Sequence, residues 1–288
     1  MKSGFVNIFG KPNAGKSTLL NALIGEKLAI VSHKVQTTRH RIKGIITEKD
    51  YQVIISDTPG IIESKYKLHE RMMKAVKDAL EDADLALLLV DAKEDPKESD
   101  TIFTELKLKV PAIVVLNKID IVSQERIKEL TEFFTGRDYC KKVITVSATS
   151  GINKKKFINS LLEFLPEGQP YYEGDDISDL QTKFFVGEMI REKIYELAQD
   201  EIPYQTTVQI REYKEKETLV KIVADIIVQR ETQKVILIGE KGSMVKRIGT
   251  EARKSIEAFI GHKVFLELFV KVKPHWRESE AQLNELGY

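Results

Sequence analysis

The chain of 288 residues holds a single cysteine, Cys140. One thiol cannot close an internal disulfide, so the fold must rest on noncovalent packing and suits a reducing compartment such as the cytoplasm. Long apolar runs are missing too. The longest, Leu85 to Val90, falls far short of the roughly 20 residues that a membrane-spanning helix needs. The amino terminus lacks the charged stretch and unbroken apolar segment of a secretory signal. An excess of one charge sign is also absent. Lys and Arg number 45 against 44 Asp and Glu, a net charge of +1, so global charge selects no partner. No internal repeat is visible. What is present is 42% hydrophobic and 31% charged residues, the composition of a globular protein, with length enough for two domains.

Up to about Leu165, apolar strand-like runs alternate with amphipathic helical patterns. The strands are expected at 4–9, 51–56, 85–90, 110–116 and 143–146, and the helices near 16–25, 69–81, 97–107, 123–135 and 153–164. Near-continuous apolar strands imply a sheet buried on both faces, and the alternation implies a mostly parallel α/β sheet. One more strand, 42–48, precedes 51–56 across Lys49-Asp50, which predicts one antiparallel edge strand. Residues 166–179 are rich in Pro, Gly and acid and read as a linker. Beyond them a helix is expected over about 180–200, ended by Pro203, with strands at 204–213, 218–229 and 263–272. A helix running to about Ile260 and a last one from about 275 complete a small α+β domain.

The chemistry begins at Gly10-Lys11-Pro12-Asn13-Ala14-Gly15-Lys16-Ser17, followed by Thr18. This is the phosphate-loop pattern, and it lies between an apolar strand and a helix, the context that gives the pattern meaning. Backbone N–H groups at a helix N-terminus would cradle phosphate, and Gly10 and Gly15 allow the bends. Lys16 would reach the β- and γ-phosphates and Ser17 would ligate Mg²⁺. Asp57-Thr58-Pro59-Gly60 follows strand 51–56. Alone it reads as a turn; after a phosphate loop, Asp57 would hold Mg²⁺ through water and the Gly60 N–H would meet the γ-phosphate. Asn117-Lys118-Ile119-Asp120 follows strand 110–116. A carboxylate at Asp120 can accept two N–H bonds from guanine, a pair that adenine does not offer. Ser147-Ala148-Thr149 follows the fifth strand and brings the Ala148 N–H near guanine O6. All these motifs sit at the C-terminal ends of strands, where ligands bind in open α/β sheets.

On these residues the first ~165 positions resemble a translation-factor-class GTPase domain. Gln36-Thr37-Thr38-Arg39-His40 resembles switch I of the Era branch. The resemblance implies that Thr38, or less readily Thr37, closes over Mg²⁺ and the γ-phosphate, so that Lys16, Thr38 and Gly60 form the catalytic set. Two departures from Ras-like enzymes predict slow intrinsic turnover. Ile61 stands where Ras-like enzymes place the water-positioning Gln, and Pro12 stands at a Ras glycine. Asn13 matches the phosphate-loop Asn that helps ligate K⁺ in potassium-activated relatives, so K⁺ stimulation is expected; as a plain turn residue Asn13 needs no ion.

The second half is near neutral, but within 241–254 five basic residues face only Glu251, a local net of +4. There the apolar run Val235 to Ile238, then Gly239-Glu240-Lys241-Gly242, then an amphipathic helix beginning near Ser243 resemble a KH domain of order α-β-β-GxxG-α-β. Glycines let such a loop approach a nucleic-acid backbone, and the domain splays about four bases along a groove. Gly239, Glu240, Lys241, Gly242, Ser243, Lys246, Arg247 and Arg253 are the expected RNA contacts. Trp276 is expected in the core.

The fold expected is therefore an α/β P-loop GTPase domain over 1–168, with a six-stranded mixed sheet, a linker over 169–180, and a type II KH domain over 181–288. The pairing resembles the Era family across nearly the whole chain. That resemblance implies a GTP- and Mg²⁺-dependent, monomeric, cytoplasmic switch. It further implies binding to the 3′ end of 16S rRNA during small-subunit assembly, and leaves open a peripheral contact with the inner membrane. Rival readings are a GTPase supporting tRNA modification, for which no substrate-pocket nucleophile is found, and an RNA scaffold with only regulatory nucleotide binding, which intact Lys16, Ser17, Asp57 and Asp120 oppose.

Overall fold

Six apolar runs form one sheet in the computed structural model, which describes all of residues 1–288. The strands are β1 (Lys2–Gly10), β2 (Ile42–Glu48), β3 (Tyr51–Asp57), β4 (Leu85–Asp91), β5 (Ala112–Asn117) and β6 (Cys140–Thr145), in spatial order β2-β3-β1-β4-β5-β6. Every neighbouring pair is parallel except β2–β3, the antiparallel edge expected from the sequence. Leu85 through Val90 are each 0% exposed, as a central strand covered on both faces must be. The chain leaves β1 towards one side of the sheet and returns by β4 on the other. That reversal opens a crevice at the carboxyl ends of the strands.

The helices around this sheet are α1 (Lys16–Ile24), α2 (Lys67–Glu81), α3 (Pro96–Glu105), α4 (Gln124–Thr135) and α5 (Lys154–Leu162). Local chemistry fixes several starts. Asp95 accepts from the Lys97 N–H with Pro96 in the first turn, Ser123 accepts from Arg126, and Asn153 accepts from Lys156.

By contact the chain falls into two compact units. One is Met1–Ala29, Thr38–Glu63 and Met72–Asp179; the other is Ile30–Thr37, Ser64–Arg71 and Leu180–Tyr288. Two short early segments thus belong with the carboxyl-terminal part. The acid-rich stretch 166–179 is stitched to the first unit. Ser3 N–H donates to Pro166 O, and the Gln52 carboxamide oxygen accepts from the N–H groups of Tyr171 (2.7 Å) and Tyr172 (3.0 Å). Ile45 N–H donates to Ile177 O at 2.9 Å, and Lys43 pairs with Asp179 at 2.8 Å. Composition showed the turns there but not these partners.

The second unit contains α6 (Thr182–Leu197), β7 (Thr207–Glu215), β8 (Val220–Val228), α7 (Glu231–Ile238), α8 (Ser243–Ile260), β9 (Val264–Val272) and α9 (Glu280–Glu285). Its sheet runs β7-β8-β9, antiparallel then parallel. Val186, Ile190 and Ile194 of α6 join Ile248, Ala252 and Ile256 of α8 and the inward face of β8 in one core. Trp276 is 0% exposed, its indole N–H donating to Gln205 O at 3.1 Å, so it is a core residue as expected.

Helix α7 corrects the sequence reading. The run Val235 to Ile238 is the end of a helix, so the order is α-β-β-α-GxxG-α-β. The run is too short and too rich in β-branched residues to show a helical period. Leu237 alone of the four is fully buried, while Val235 and Ile236 stay largely exposed. Gln233 anchors the helix start, its carboxamide oxygen accepting from Gln229 and Arg230 N–H. Leu237→Ala should lower the unfolding free energy of the second unit by about 2–5 kcal/mol, the usual cost of such a core cavity. Urea denaturation of the full chain would measure it.

Candidate nucleotide site and nucleic-acid interface

The turn after β1 is built so that little but glycine fits. Gly15 has φ +97°, and a Cβ there would lie 2.3 Å from Asn117 Nδ2. Asn13 also takes a left-handed φ of 63°. Helix α1 then begins with no side-chain cap and no acid in its first turn. Its first N–H groups are therefore left for an anion. Lys16 lies beneath the loop, 6% exposed, donating to Gly10 O (3.0 Å) and Lys11 O (2.8 Å). Burial pulls its pKa down to about 8, against an opposing pull from Asp57. A bound polyphosphate would favour its charged form.

Ser17, Thr38 and Asp57 converge. Ser17 Oγ donates to Asp57 Oδ2 at 2.6 Å. Thr38 Oγ1 lies 2.9 Å from Ser17 Oγ and 3.1 Å from Asp57 Oδ2. Asp57 is 0% exposed, and its Oδ1 has no hydrogen-bond partner. Burial pushes its carboxyl above the usual range, while Lys16 and the two hydroxyls pull it back in part. A buried carboxylate oxygen left open beside two hydroxyls is a donor set that suits a hard cation such as Mg²⁺. Thr37 is turned away, its hydroxyl donating to Lys34 O at 2.6 Å.

The loop after β3 lies against the phosphate loop. A Cβ on Gly60 would come 2.9 Å from Pro12 Cγ, so glycine permits the approach. The Thr58 hydroxyl donates to Ile8 O at 2.7 Å and ties β3 to β1; Pro59 follows it. Ile61 packs onto the apolar cluster that includes Phe9 and Val90, and so offers water nothing.

At the base end, Asn117 acts as a brace. Its Nδ2 donates to Ala14 O at 2.9 Å and its Oδ1 accepts the Ala148 N–H at 3.1 Å. The N–H expected near guanine O6 is thus engaged by Asn117 here. Lys118 Nζ reaches Asn13 O at 2.9 Å and Asp91 Oδ2 at 2.6 Å. Sequence reasoning missed Asp91; its place at the end of β4, level with Asn117 in the β5 register, was the available signal. Asp120 stays exposed, and hydrogen bonding from Ser147 holds its carboxyl below the usual range. It is an ionised acceptor at the mouth of the site.

In the second unit, Gly239 (φ 73°), Lys241 (φ 50°) and Gly242 (φ 79°) are all left-handed, a turn that glycines make accessible. It delivers the chain into α8, which again has no side-chain cap and no acid in its first turn. Glu240, Lys241, Ser243, Lys246, Arg247 and Arg253 are exposed. Beside them lies a groove of about 270 Å³ between α8 and β9. Val245, Leu266 and Leu268 supply its apolar lining and Lys246 and Arg253 its positive charge. The β9 wall was not legible in the sequence, because it is supplied by strand residues more than a dozen positions beyond the helix face.

A doubly covered sheet of this order, with a phosphate loop after β1 and a base-selecting motif after β5, joined to a KH-type unit, defines a P-loop GTPase coupled to a nucleic-acid-binding module. Residues 5–118 match the family model described as 50S ribosome-binding GTPase, and residues 201–277 match the KH domain model. The sequence is 43% identical over 290 residues to GTPase Era of Geotalea uraniireducens (strain Rf4), covering 100% of this chain and 98% of that one. The chain therefore belongs to the GTPase Era family, and it is an enzyme that hydrolyses GTP. Its backbone is similar to that of Aquifex aeolicus Era bound to GDP·AlF4⁻, with a TM-score of 0.94, 39% identity, and coverage of 100% of this chain and 99% of that one. The same figures hold for a structure of Era in complex with MgGDPNP and nucleotides 1506–1542 of 16S ribosomal RNA. No helix is long and apolar enough to cross a membrane.

Asp120→Asn should lower GTP affinity by roughly a hundredfold or more, since a site built to accept guanine N–H groups rejects a partner that breaks the pairing. Xanthosine triphosphate should gain in proportion. Competition against a fluorescent guanine nucleotide would measure both, and unchanged GTP binding would remove Asp120 from the site.

Proposed function

We propose that this chain is a slow GTP-driven switch that binds single-stranded RNA, at the 3′ end of 16S rRNA, during maturation of the small ribosomal subunit. The observation that carries the reading is the convergence of Ser17, Thr38 and the open Asp57 oxygen in a chain that also presents a basic, glycine-turned groove. The RNA identity rests on the relative bound to that segment, whose backbone this chain follows over its full length.

In this reading the N–H groups of Gly10 through Thr18 cradle the phosphates, with Asn13, Ala14 and Gly15 forming the turn and Lys16 placing charge on the β- and γ-phosphates. Ser17 and Thr38 ligate Mg²⁺ directly, and Asp57 acts through water. Mg²⁺ neutralises charge developing on the phosphoryl oxygens. The Gly60 N–H meets the γ-phosphate, with Thr58 and Pro59 setting its loop. Asp120 accepts from guanine, and Asn117, Lys118, Ser147 and Ala148 shape the base pocket. Ile61, packed against the apolar cluster, has no polar group to orient the attacking water, and turnover is slow for that reason. Asn13 is the residue that would hold a K⁺ ion, which would offset phosphate charge there. Gly239 and Gly242 admit the RNA backbone, and Lys241, Lys246, Arg247 and Arg253 meet its phosphates, with Glu240 and Ser243 flanking. The division into a GTPase domain over 1–168, a linker over 169–180 and an RNA-binding domain over 181–288 belongs to the same reading, as do a monomeric state and a cytoplasmic setting.

Two measurements test it. Replacing Lys241 and Lys246 with Ala should weaken RNA binding and flatten the slope of log K against log salt by about 0.7 per lost phosphate contact. An unchanged slope would place the phosphates elsewhere. Exchanging KCl for NaCl at equal ionic strength should slow GTP hydrolysis, and Asn13→Ala should abolish that difference; equal turnover in both salts removes K⁺ from the site.

A further inference from the structure

Helix α6 belongs to the core of the second unit, yet one of its faces is occupied by the segment that leads into Thr38. Arg191, 1% exposed, donates from Nη2 to Thr37 O at 2.5 Å. The same guanidinium is fixed by Glu188, with contacts of 2.5 and 2.8 Å. The Tyr195 hydroxyl donates to Gln36 O at 3.0 Å, and Val31 N–H donates to Glu192 Oε1 at 3.3 Å. Lys34 Nζ donates to Tyr195 O and Ala198 O, at 2.5 and 2.6 Å, where the helix end favours a cation. The two carbonyls immediately before Thr38 are therefore each held by an α6 side chain.

The second early segment meets the first at one residue. Gln36 Oε1 accepts from the Tyr66 hydroxyl at 3.4 Å and lies 3.2 Å from His69 Nε2. The Tyr66 and His69 rings touch at a tilt of 34° with centroids 3.8 Å apart, and the Arg277 guanidinium lies 4.3 Å over Tyr66. Gln36 sits at φ 58°, a left-handed conformation that costs a residue with a side chain and persists where surrounding contacts hold it.

We propose that Arg191 and Tyr195 are positioning residues for GTP hydrolysis: through Gln36 and Thr37 they set the Mg²⁺-binding arm before nucleotide arrives. Residues 30–41 include no helix or strand, so their ordering must come from contacts. If Mg²⁺ and the γ-phosphate alone ordered them, the conformational entropy would be charged against triphosphate binding. A prefixed carbonyl pair removes part of that cost, and only for the triphosphate, because the diphosphate has no γ-phosphate for Thr38 to close upon. The inference rests on the assignment of Thr38 as a Mg²⁺ ligand.

The test uses the full chain with Tyr195→Phe, which removes one hydroxyl and keeps the ring, alongside Arg191→Met and Thr38→Ala. Affinities for Mg·GDPNP and Mg·GDP are measured for each, with hydrolysis followed as Mg²⁺ is varied. Each positioning variant should weaken Mg·GDPNP roughly threefold to tenfold, the span of one net hydrogen bond. Mg·GDP should hold within about twofold on the same account, and raised Mg²⁺ should restore hydrolysis. Parallel loss of both nucleotides, or loss of neither, overturns the proposal. If Thr38→Ala itself shows no triphosphate-selective loss, the assignment of Thr38 falls and takes the proposal with it. If Thr38→Ala shows that loss while Tyr195→Phe and Arg191→Met do not, the positioning role alone is refuted.

Discussion

Burying a carboxylate costs several kcal/mol unless charges and hydrogen bonds replace the lost water. Asp57 has no exposed surface and receives that replacement from three directions: the Lys16 ammonium, the Ser17 hydroxyl and the Thr38 hydroxyl. The helix after the phosphate loop supplies two of these donors and the arm before β2 the third. The Asp57 carboxylate is thus the point on which the helix start and the arm are jointly aligned through Oδ2, while Oδ1 stays unmet. Gly60, three residues further on, lies against Pro12, an approach that its missing Cβ permits.

The parts of this arrangement visible in the sequence are those where backbone geometry dictates residue type. Gly15 must be glycine to lie beside Asn117. Asp57 and Asp120 stand at strand ends because the sheet delivers them there. The strands of the large sheet could be read because burial on both faces leaves unbroken apolar runs. What stayed hidden depends on tertiary partners. Helix α7 is short, and its Val235 and Ile236 mimic a strand. Asp91 looks like any strand-end acid until Lys118 is seen against it. The stretch 166–179 has the composition of a free linker, and nothing in it announces Gln52 or Lys43. The packing of Ile30–Thr37 on α6 was also illegible, because it joins residues some 160 positions apart through carbonyl groups, which carry no sequence signature.

Helix α6 has two occupations within its unit. Val186, Ile190 and Ile194 face the core shared with α8, the helix that carries the basic groove. Arg191 and Tyr195, offset around the same helix, face the arm. A rigid rod with two loaded faces cannot shift on one side alone. Its deep burial follows from that double use. Ten of its sixteen residues are buried, including the charged Glu188, Arg191 and Glu192, far more than a surface helix with one apolar stripe would show.

Helices α1 and α8 begin in the same unusual way. Each takes a left-handed glycine at its cap, Gly15 or Gly242, with no capping side chain and no acid in the first turn. Helices α3, α4 and α5 are instead capped by side chains, those of Asp95, Ser123 and Asn153. Over glycine, a capping carboxylate or hydroxyl is worth only roughly a few tenths of a kcal/mol, and at these two positive-φ positions its backbone would be strained, with a Cβ at Gly15 also meeting Asn117. Such a side chain would also fill from within the position that each helix start holds out to a phosphate. These two weak helix starts are therefore reserved sites. Stabilising substitutions that are harmless at α3, α4 or α5 would here act as built-in competitors, and engineering this protein for heat tolerance by helix capping should spare both positions.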